Sequence, residues 1–190
     1  AWQVYIAVAL TRGAQLGRDL IEVNPPLAAW LDVPVVQLSA PLGLSPAFGH
    51  QLATMFLGLW SVMLVSLAGR AVAVLRRSTA LVAFSLACAI PLALHGGLEV
   101  GQREQMAILL ALPYFVLLAA RLEAAHVSTR LALAVGISAG LGFALKPFFV
   151  LPLALGELLL LLEHRSLRAP LRIEMVGIAA VFAAYPVAIL

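Results

Sequence analysis

Long apolar runs alternate along this chain with short polar segments, and the polar segments hold nearly all of the charged residues. A continuous apolar run of about 20 residues is typical of a helix that crosses a bilayer. The pattern predicts crossings at about 47–75, 78–95, 105–120, 131–145, 148–162 and 175–190. The apolar segment 2–10 is shorter, and we interpret it as the outer end of an earlier crossing. Residues 1–190 are therefore expected to form one transmembrane domain, as a fragment of a longer chain.

Residues 11–45 contain charged residues and prolines and are predicted to be an outer loop with structure of its own. Pro25 and Pro26 suit the first turn of a helix, where a missing backbone N–H does no harm. The apolar residues 27–31 then predict a short helix that lies in the membrane interface. Pro34 is predicted to belong to the irregular return toward the membrane.

Basic residues are concentrated in alternate polar segments. Positively charged loops resist translocation and therefore mark the cytoplasmic side of a multi-span protein. The segments at 76–77, 121–130 and 163–172 are predicted to be cytoplasmic, and those at 11–45, 96–104 and 146–147 to face outward. Seven of the twelve basic residues lie in the three cytoplasmic loops: Arg76, Arg77, Arg121, Arg130, Arg165, Arg168 and Arg172.

Composition indicates the same class of protein. Hydrophobic residues make up 63% of the chain and charged residues 11%, and the mean hydropathy is +1.05, which is far from the composition of soluble domains. The predicted fold is all-α, a polytopic transmembrane helical bundle with the lipid bilayer as a partner. The net charge of +3 reflects this topology and does not indicate nucleic-acid binding. Cys88 is the only cysteine, which excludes an intrachain disulfide and a cysteine-based metal site.

Asp19, in the polar segment 17–27, is the leading candidate for chemistry. A carboxylate beside a bilayer is costly to desolvate, so acids in this position are often functional. The structural alternative is that Asp19 is a helix N-cap, whose carboxylate accepts hydrogen bonds from free backbone N–H groups. The residues alone favour neither interpretation.

An acid in the first outward loop, followed by Asn-Pro-Pro-Leu at 24–27, resembles the multi-spanning GT-C glycosyltransferases. The segments 101–105, 109–114 and 140–147 resemble parts of bacterial members of that superfamily. The resemblance implies a GT-C-like bundle in the bacterial cytoplasmic membrane. It also implies an inverting transfer of a sugar from a polyprenyl-phosphate carrier to a glycan, lipid or protein acceptor on the outer face.

Such a transfer requires a base that takes the proton of the acceptor hydroxyl and cations that stabilise the departing phosphate. With the resemblance counted, we assign Asp19 as the catalytic base. The predicted substrate-binding residues are Arg18, Glu22, Asn24, Arg103, Glu104 and Lys146. No cofactor and no metal-ligand set is predicted, and a requirement for a divalent metal is left open.

Several of these residues also have a structural interpretation. Glu22 suits a solvated loop. Arg103 and Glu104 stand where a membrane helix begins, and there a glutamate favours the positive helix end while an arginine extends outward. Lys146 lies between two apolar runs and would be an unpaired cation near lipid unless it binds a phosphate.

Glu157 lies within an apolar run and needs a partner that the sequence does not identify. Gly136, Gly140 and Gly142 are predicted to permit close helix packing rather than to hold phosphate.

Two other functions of the protein stay open. The protein would be a transporter of lipid or solute if Glu157 and Lys146 lined a path, or it would be a non-catalytic membrane subunit of a larger assembly.

Overall fold

A computed structural model describes residues 2–22, 24–94, 100–165 and 171–189. Within these ranges the protein is helical, which confirms the predicted all-α class. The α-helices of the described ranges are α1 (Trp2–Thr11), α2 (Leu27–Ser39), α3 (Pro46–Gly69), α4 (Ser78–Leu94), α5 (Arg103–Leu122), α6 (Thr129–Ala144), α7 (Val150–His164) and α8 (Ile173–Ile189). Short 3-10 turns at Ala73–Leu75 and Pro147–Phe149 follow α3 and α6.

Serine caps define where α3 and α6 begin. The Ser45 hydroxyl accepts a hydrogen bond of 3.2 Å from the backbone N–H of Phe48, and a proline follows the cap. Ser128 accepts a longer bond of 3.4 Å from Leu131 in the same way. These helices begin close to the predicted starts of their apolar runs. The helix α3 ends at Gly69 and is followed by a turn, so it is shorter than the crossing predicted at 47–75.

The helices α5 and α6 form the centre of the bundle. The helix α6 packs between α5 and α8, and α5 also contacts α3 and α7. Tyr114 on α5 and Phe143 on α6 are buried, and their rings meet edge to face with centroids 5.7 Å apart. This aromatic contact belongs to the largest hydrophobic core of the described residues.

Glycines bring α6 close to both of its neighbours. A Cβ atom added at Gly136 would overlap the backbone carbonyl of Glu174 on α8. A Cβ atom at Gly140 would lie 2.9 Å from Val181, also on α8, and one at Gly142 would lie 2.9 Å from Leu110 on α5. The prediction that these glycines permit close helix packing is confirmed.

The helix α2 is longer than the predicted interfacial segment 27–31. It begins at Leu27, directly after the two prolines, and continues through Pro34 to Ser39, so the prediction that Pro34 lies in an irregular return was wrong. A buried stripe at four-residue spacing explains the extension, because Ala28, Asp32 and Val36 all face the protein interior. The free energy gained by burying this stripe outweighs the free energy lost with the one backbone hydrogen bond that a proline removes.

Among the described helices, α3 with 24 residues and α5 with 20 residues are long and apolar enough to cross a membrane. The other apolar helices are shorter. The apolar stretch of α3 is 39% buried within the protein, whereas that of α5 is 61% buried. The helix α3 therefore lies more at the periphery of the bundle, and α5 lies nearer its centre.

Candidate functional site

Most of the predicted substrate-binding residues meet at the N-terminal end of α5. Arg103, the first residue of α5, directs Nη1 toward Glu22 Oε1 at 3.7 Å. The side chain of Glu22 is only 6% exposed. An ion pair shielded to this degree is weakened less by salt than a pair on the surface. The loop after α1 is therefore held against the start of α5.

Glu22 has further hydrogen-bond donors around it. The indole N–H of Trp2 donates to Oε2 at 2.6 Å, and the backbone and side-chain amides of Asn24 each donate to Oε1 at 2.8 Å. Burial by itself raises the pKa of Glu22, but the bonds from Asn24 and Trp2, together with the charge of Arg103, outweigh it and lower the pKa overall. Glu22 is therefore a fixed carboxylate that joins α1, α5 and its own loop.

Lys146 has a carboxylate partner. Its ammonium group forms an ion pair with Glu104 in the first turn of α5. It also lies 5.3 Å from the centre of the Phe148 ring, which is within the range of a cation–π contact. The expectation that Lys146 would be unpaired unless it binds a phosphate was wrong, because α5 and α6 place residues 104 and 146 side by side.

Asp19 lies on the exposed loop between α1 and α2, with its side chain 49% accessible. Its Oδ2 accepts a hydrogen bond of 2.9 Å from the backbone N–H of Gln15, and Arg18 lies 3.9 Å from Oδ1. The next helix begins at Leu27, so the alternative of a helix N-cap was wrong. The carboxylate closes a turn and keeps free access to solvent.

The structure therefore divides the predicted site residues into two groups. The first group, called here the polar cluster, joins the end of the α1–α2 loop to α5 and to the segment that follows α6. It consists of Glu22, Asn24, Arg103, Glu104 and Lys146. The second group is Arg18 with Asp19, which contact each other and lie a few residues before Glu22 on the same loop.

An apolar cleft adjoins the polar cluster. It has a volume of about 390 Å³ and lies between α5, α6 and the start of α7. Its walls are formed chiefly by Ile108, Leu112, Phe115, Phe143, Phe149 and Pro152. Glu104, which carries the ion pair with Lys146, also lines this cleft. A hydrophobic chain in the cleft would therefore end beside a charged pair.

Glu157 on α7 has one partner near the middle of α5 and another just before α8. The Glu157 carboxylate accepts hydrogen bonds from the Tyr114 hydroxyl and from Arg172. Arg172 also lies 3.2 Å from the buried Glu174, which in turn binds Arg121. The sequence indicated that Glu157 needs a partner, but Arg172 was assigned only to a basic loop.

A buried pair between Asp32 on α2 and His50 on α3 was missed by the sequence analysis. Asp32 was placed in an outer loop, and His50 was not considered as its partner. The available signal was an acid within the stripe of residues that α2 buries, since a buried carboxylate needs a partner. The carboxylate and the imidazole lie 2.8 Å apart.

Within the described ranges, no group of three histidine, cysteine, aspartate or glutamate side chains is placed to hold a metal ion. The chain matches no protein-family model, no curated protein and no solved structure in the comparisons made.

Proposed function

We propose that the protein is a polytopic membrane glycosyltransferase of GT-C type. It transfers a sugar, with inversion, from a polyprenyl-phosphate carrier to an acceptor on the outer face of a bacterial cytoplasmic membrane. The order of the motifs at 17–27, 101–114 and 140–147 supports this proposal. The polar cluster, to which all three segments contribute residues, also supports it.

The surface of α3 supports a membrane location. Large apolar side chains are exposed along this helix: Met55, Phe56, Leu59, Trp60 and Met63. An exposed apolar surface of this extent is unfavourable in water and favourable against lipid. The 24 residues of α3 exceed the roughly 20 that a crossing requires.

The observation that carries the proposal is the apolar cleft that ends at Glu104 and Lys146. A polyprenyl phosphate has a long apolar chain with a charged head, and the cleft offers apolar walls with a cation beside them. The phosphate competes with Glu104 for the Lys146 ammonium group. Phosphate and carboxylate both accept charge-assisted hydrogen bonds, so the lysine can exchange one partner for the other.

The chemistry then divides between two parts of the site. Asp19 accepts the proton from the acceptor hydroxyl as the hydroxyl oxygen forms a bond to the anomeric carbon of the sugar. The bond from that carbon to the phosphate oxygen breaks on the opposite face, and the polyprenyl phosphate leaves with an added negative charge. Lys146, once it has exchanged Glu104 for the phosphate, and Arg103 stabilise that charge.

Photo-crosslinking with polyprenyl phosphate tests the site. A benzoylphenylalanine placed at Ile108 lies in the cleft, and one at Leu59 on α3 is the matched control, because both native side chains are similarly exposed and only Ile108 lines the cleft. We expect labelling at position 108 to exceed that at position 59. We also expect Lys146→Met to reduce it by about tenfold, the loss of roughly one charged hydrogen bond, and Lys146→Arg to retain it.

A polyprenyl alcohol, which lacks the phosphate, is the competing ligand in the same experiment. If Lys146 recognises the phosphate, an excess of the alcohol should reduce the crosslinking of polyprenyl phosphate at position 108 only slightly. Equal labelling at positions 108 and 59, or equal labelling of Lys146→Met and the native protein, would contradict the proposed donor site.

A further inference from the structure

Glu104 and Lys146 form an ion pair at the end of the apolar cleft, and the two side chains differ in their surroundings. The Glu104 side chain is 51% exposed, whereas the Lys146 side chain is only 17% exposed. Lys146 also lies beside the Phe148 ring, 5.3 Å from its centre. An exposed carboxylate exchanges a charged partner for water with little loss of free energy. When the pair opens, Glu104 is therefore the partner that leaves, and the shielded ammonium group stays beside the cleft.

Glu22, the other acid that pairs with a cation of the polar cluster, is held more firmly. Its side chain is 6% exposed, and its carboxylate accepts hydrogen bonds from Trp2 and Asn24 in addition to the ion pair with Arg103. A carboxylate that left this position would deprive several shielded donors of their acceptor, which is unfavourable. The polar cluster therefore contains one fixed carboxylate, Glu22, and one that can be exchanged, Glu104.

The proposed transfer changes the charge that Lys146 faces. The phosphate of the sugar donor is a diester with one negative charge, whereas the released polyprenyl phosphate is a monoester with a charge of about −1.5 to −2 at neutral pH. The attraction between an ammonium group and a phosphate grows with this charge. Lys146 thus holds the product more tightly than the donor. Product release limits the turnover of many enzymes, so a group that competes for Lys146 after the transfer would speed the cycle.

We propose that Glu104 promotes the release of polyprenyl phosphate by returning to Lys146 and displacing the product phosphate, an inference that rests on the proposed function. Because both residues belong to one chain, the carboxylate competes at a high effective concentration. Glu104 also lines the cleft that holds the prenyl chain, so the ion pair forms again where the phosphate departs. Glu104 acts through Lys146 as a positioning residue and takes no part in the exchange of bonds.

The dissociation rate of polyprenyl phosphate tests this role without any transfer reaction. A polyprenyl phosphate with a fluorescent group at the far end of its chain is bound to the protein in detergent and then displaced by an excess of unlabelled polyprenyl phosphate. We expect Glu104→Gln to slow dissociation by about fivefold, because one partly exposed ion pair no longer competes. Glu163→Gln, which removes the charge of another exposed glutamate, should retain the native rate. A damaged binding site would release the probe faster, not more slowly.

Two further variants show whether Glu104 acts through Lys146. In the Lys146→Met background, Glu104→Gln should leave the dissociation rate nearly unchanged, because the residue for which the carboxylate competes is absent. Simple repulsion between the carboxylate and the phosphate would persist in that background. Glu104→Asp retains the charge on a shorter side chain, and its dissociation rate should lie between those of the native protein and Glu104→Gln. This variant decides the question if Glu104→Gln does not fold.

The outcomes separate this inference from the proposed function. If Lys146→Met alone does not accelerate dissociation, the proposed donor site is wrong, and the role of Glu104 falls with it. If Lys146→Met accelerates dissociation but Glu104→Gln and Glu104→Asp both retain the native rate, only the release role is overturned. Equal slowing by Glu104→Gln with and without Lys146 would also overturn the release role and leave the donor site in place.

Discussion

Arg121 and Glu174 join the last turn of α5 to the first turn of α8 by two parallel hydrogen bonds. Arginine Nε and Nη2 each lie 3.0 Å from one carboxylate oxygen. The Glu174 side chain is fully buried. Two-point contacts of this kind fix orientation as well as distance. The pair therefore fixes the start of α8 relative to the end of α5.

Removal of the arginine should be more damaging than removal of both charges. Arg121→Met leaves the buried Glu174 with only the less well aligned Arg172, and we expect a loss of about 3 kcal/mol in the free energy of unfolding. The double variant Arg121→Met/Glu174→Gln should recover part of this loss, because no buried charge is left without its main partner. Denaturation of both variants in detergent measures the difference. A double variant less stable than Arg121→Met would contradict this account.

Asp19→Asn tests the catalytic assignment. Asparagine can still accept the hydrogen bond from Gln15, so the turn should form and the melting temperature should stay unchanged. Asparagine does not accept the acceptor's proton, and turnover should fall by roughly 10² to 10⁴. Transfer to an acceptor is measured beside thermal stability, with Arg12→Gln as the control on the same exposed loop. Normal turnover in Asp19→Asn would exclude it as the base.

Glu22 predicts an acid-sensitive contact. Its pKa is lowered in the folded protein, so the stabilisation from its ion pair and hydrogen bonds is complete above the ordinary carboxyl pKa. That stabilisation is lost as the pH falls through the lowered pKa. The melting temperature of Glu22→Gln should therefore fall less steeply with decreasing pH than that of the native protein. Melting temperatures measured against pH should show this flattening, and Glu163→Gln, at an exposed carboxylate, should retain the native slope.

Gly136 should be the least replaceable glycine of α6. A methyl group there would lie only 2.2 Å from a backbone oxygen of α8, which has little freedom to move, whereas one at Gly140 would lie 2.9 Å from the Val181 side chain and 3.1 Å from the α8 backbone at Ile178. We expect Gly136→Ala to destabilise the protein by about 1–3 kcal/mol despite the higher helix propensity of alanine. Gly140→Ala should be milder. The order of the two melting temperatures checks the prediction, and the reverse order would refute it.

The apolar pattern was sufficient to predict the helices, because each run must bury or shield a continuous apolar surface. The helix α5 extends only two residues beyond each end of the run predicted at 105–120. Pro34 was misassigned for a physical reason. Its local preference opposes a helix, but burial of Asp32 and Val36 on either side of it depends on tertiary packing that a linear pattern does not contain.

The pairing of the charged residues could be predicted only in part. The sequence indicated that Glu157 needs a partner, since an isolated carboxylate in an apolar run is unstable. It did not indicate Arg172, because that contact depends on how the chain returns after α7. Lys146 and Glu104 are separated by 42 positions and meet only through the packing of α5 on α6. The identity of charged residues is local information, whereas their partners are determined by the tertiary fold.

The anchoring of Glu22 by Trp2 and Arg103 limits how far Asp19 can travel. Three residues of extended chain span at most about 11 Å. However the loop moves, the Cα atom of Asp19 stays within that radius of the Cα atom of Glu22. An acceptor that is to lose its proton to Asp19 must therefore enter a small volume around one anchored residue. In the proposed transfer, this tether keeps the acceptor hydroxyl near the start of α5.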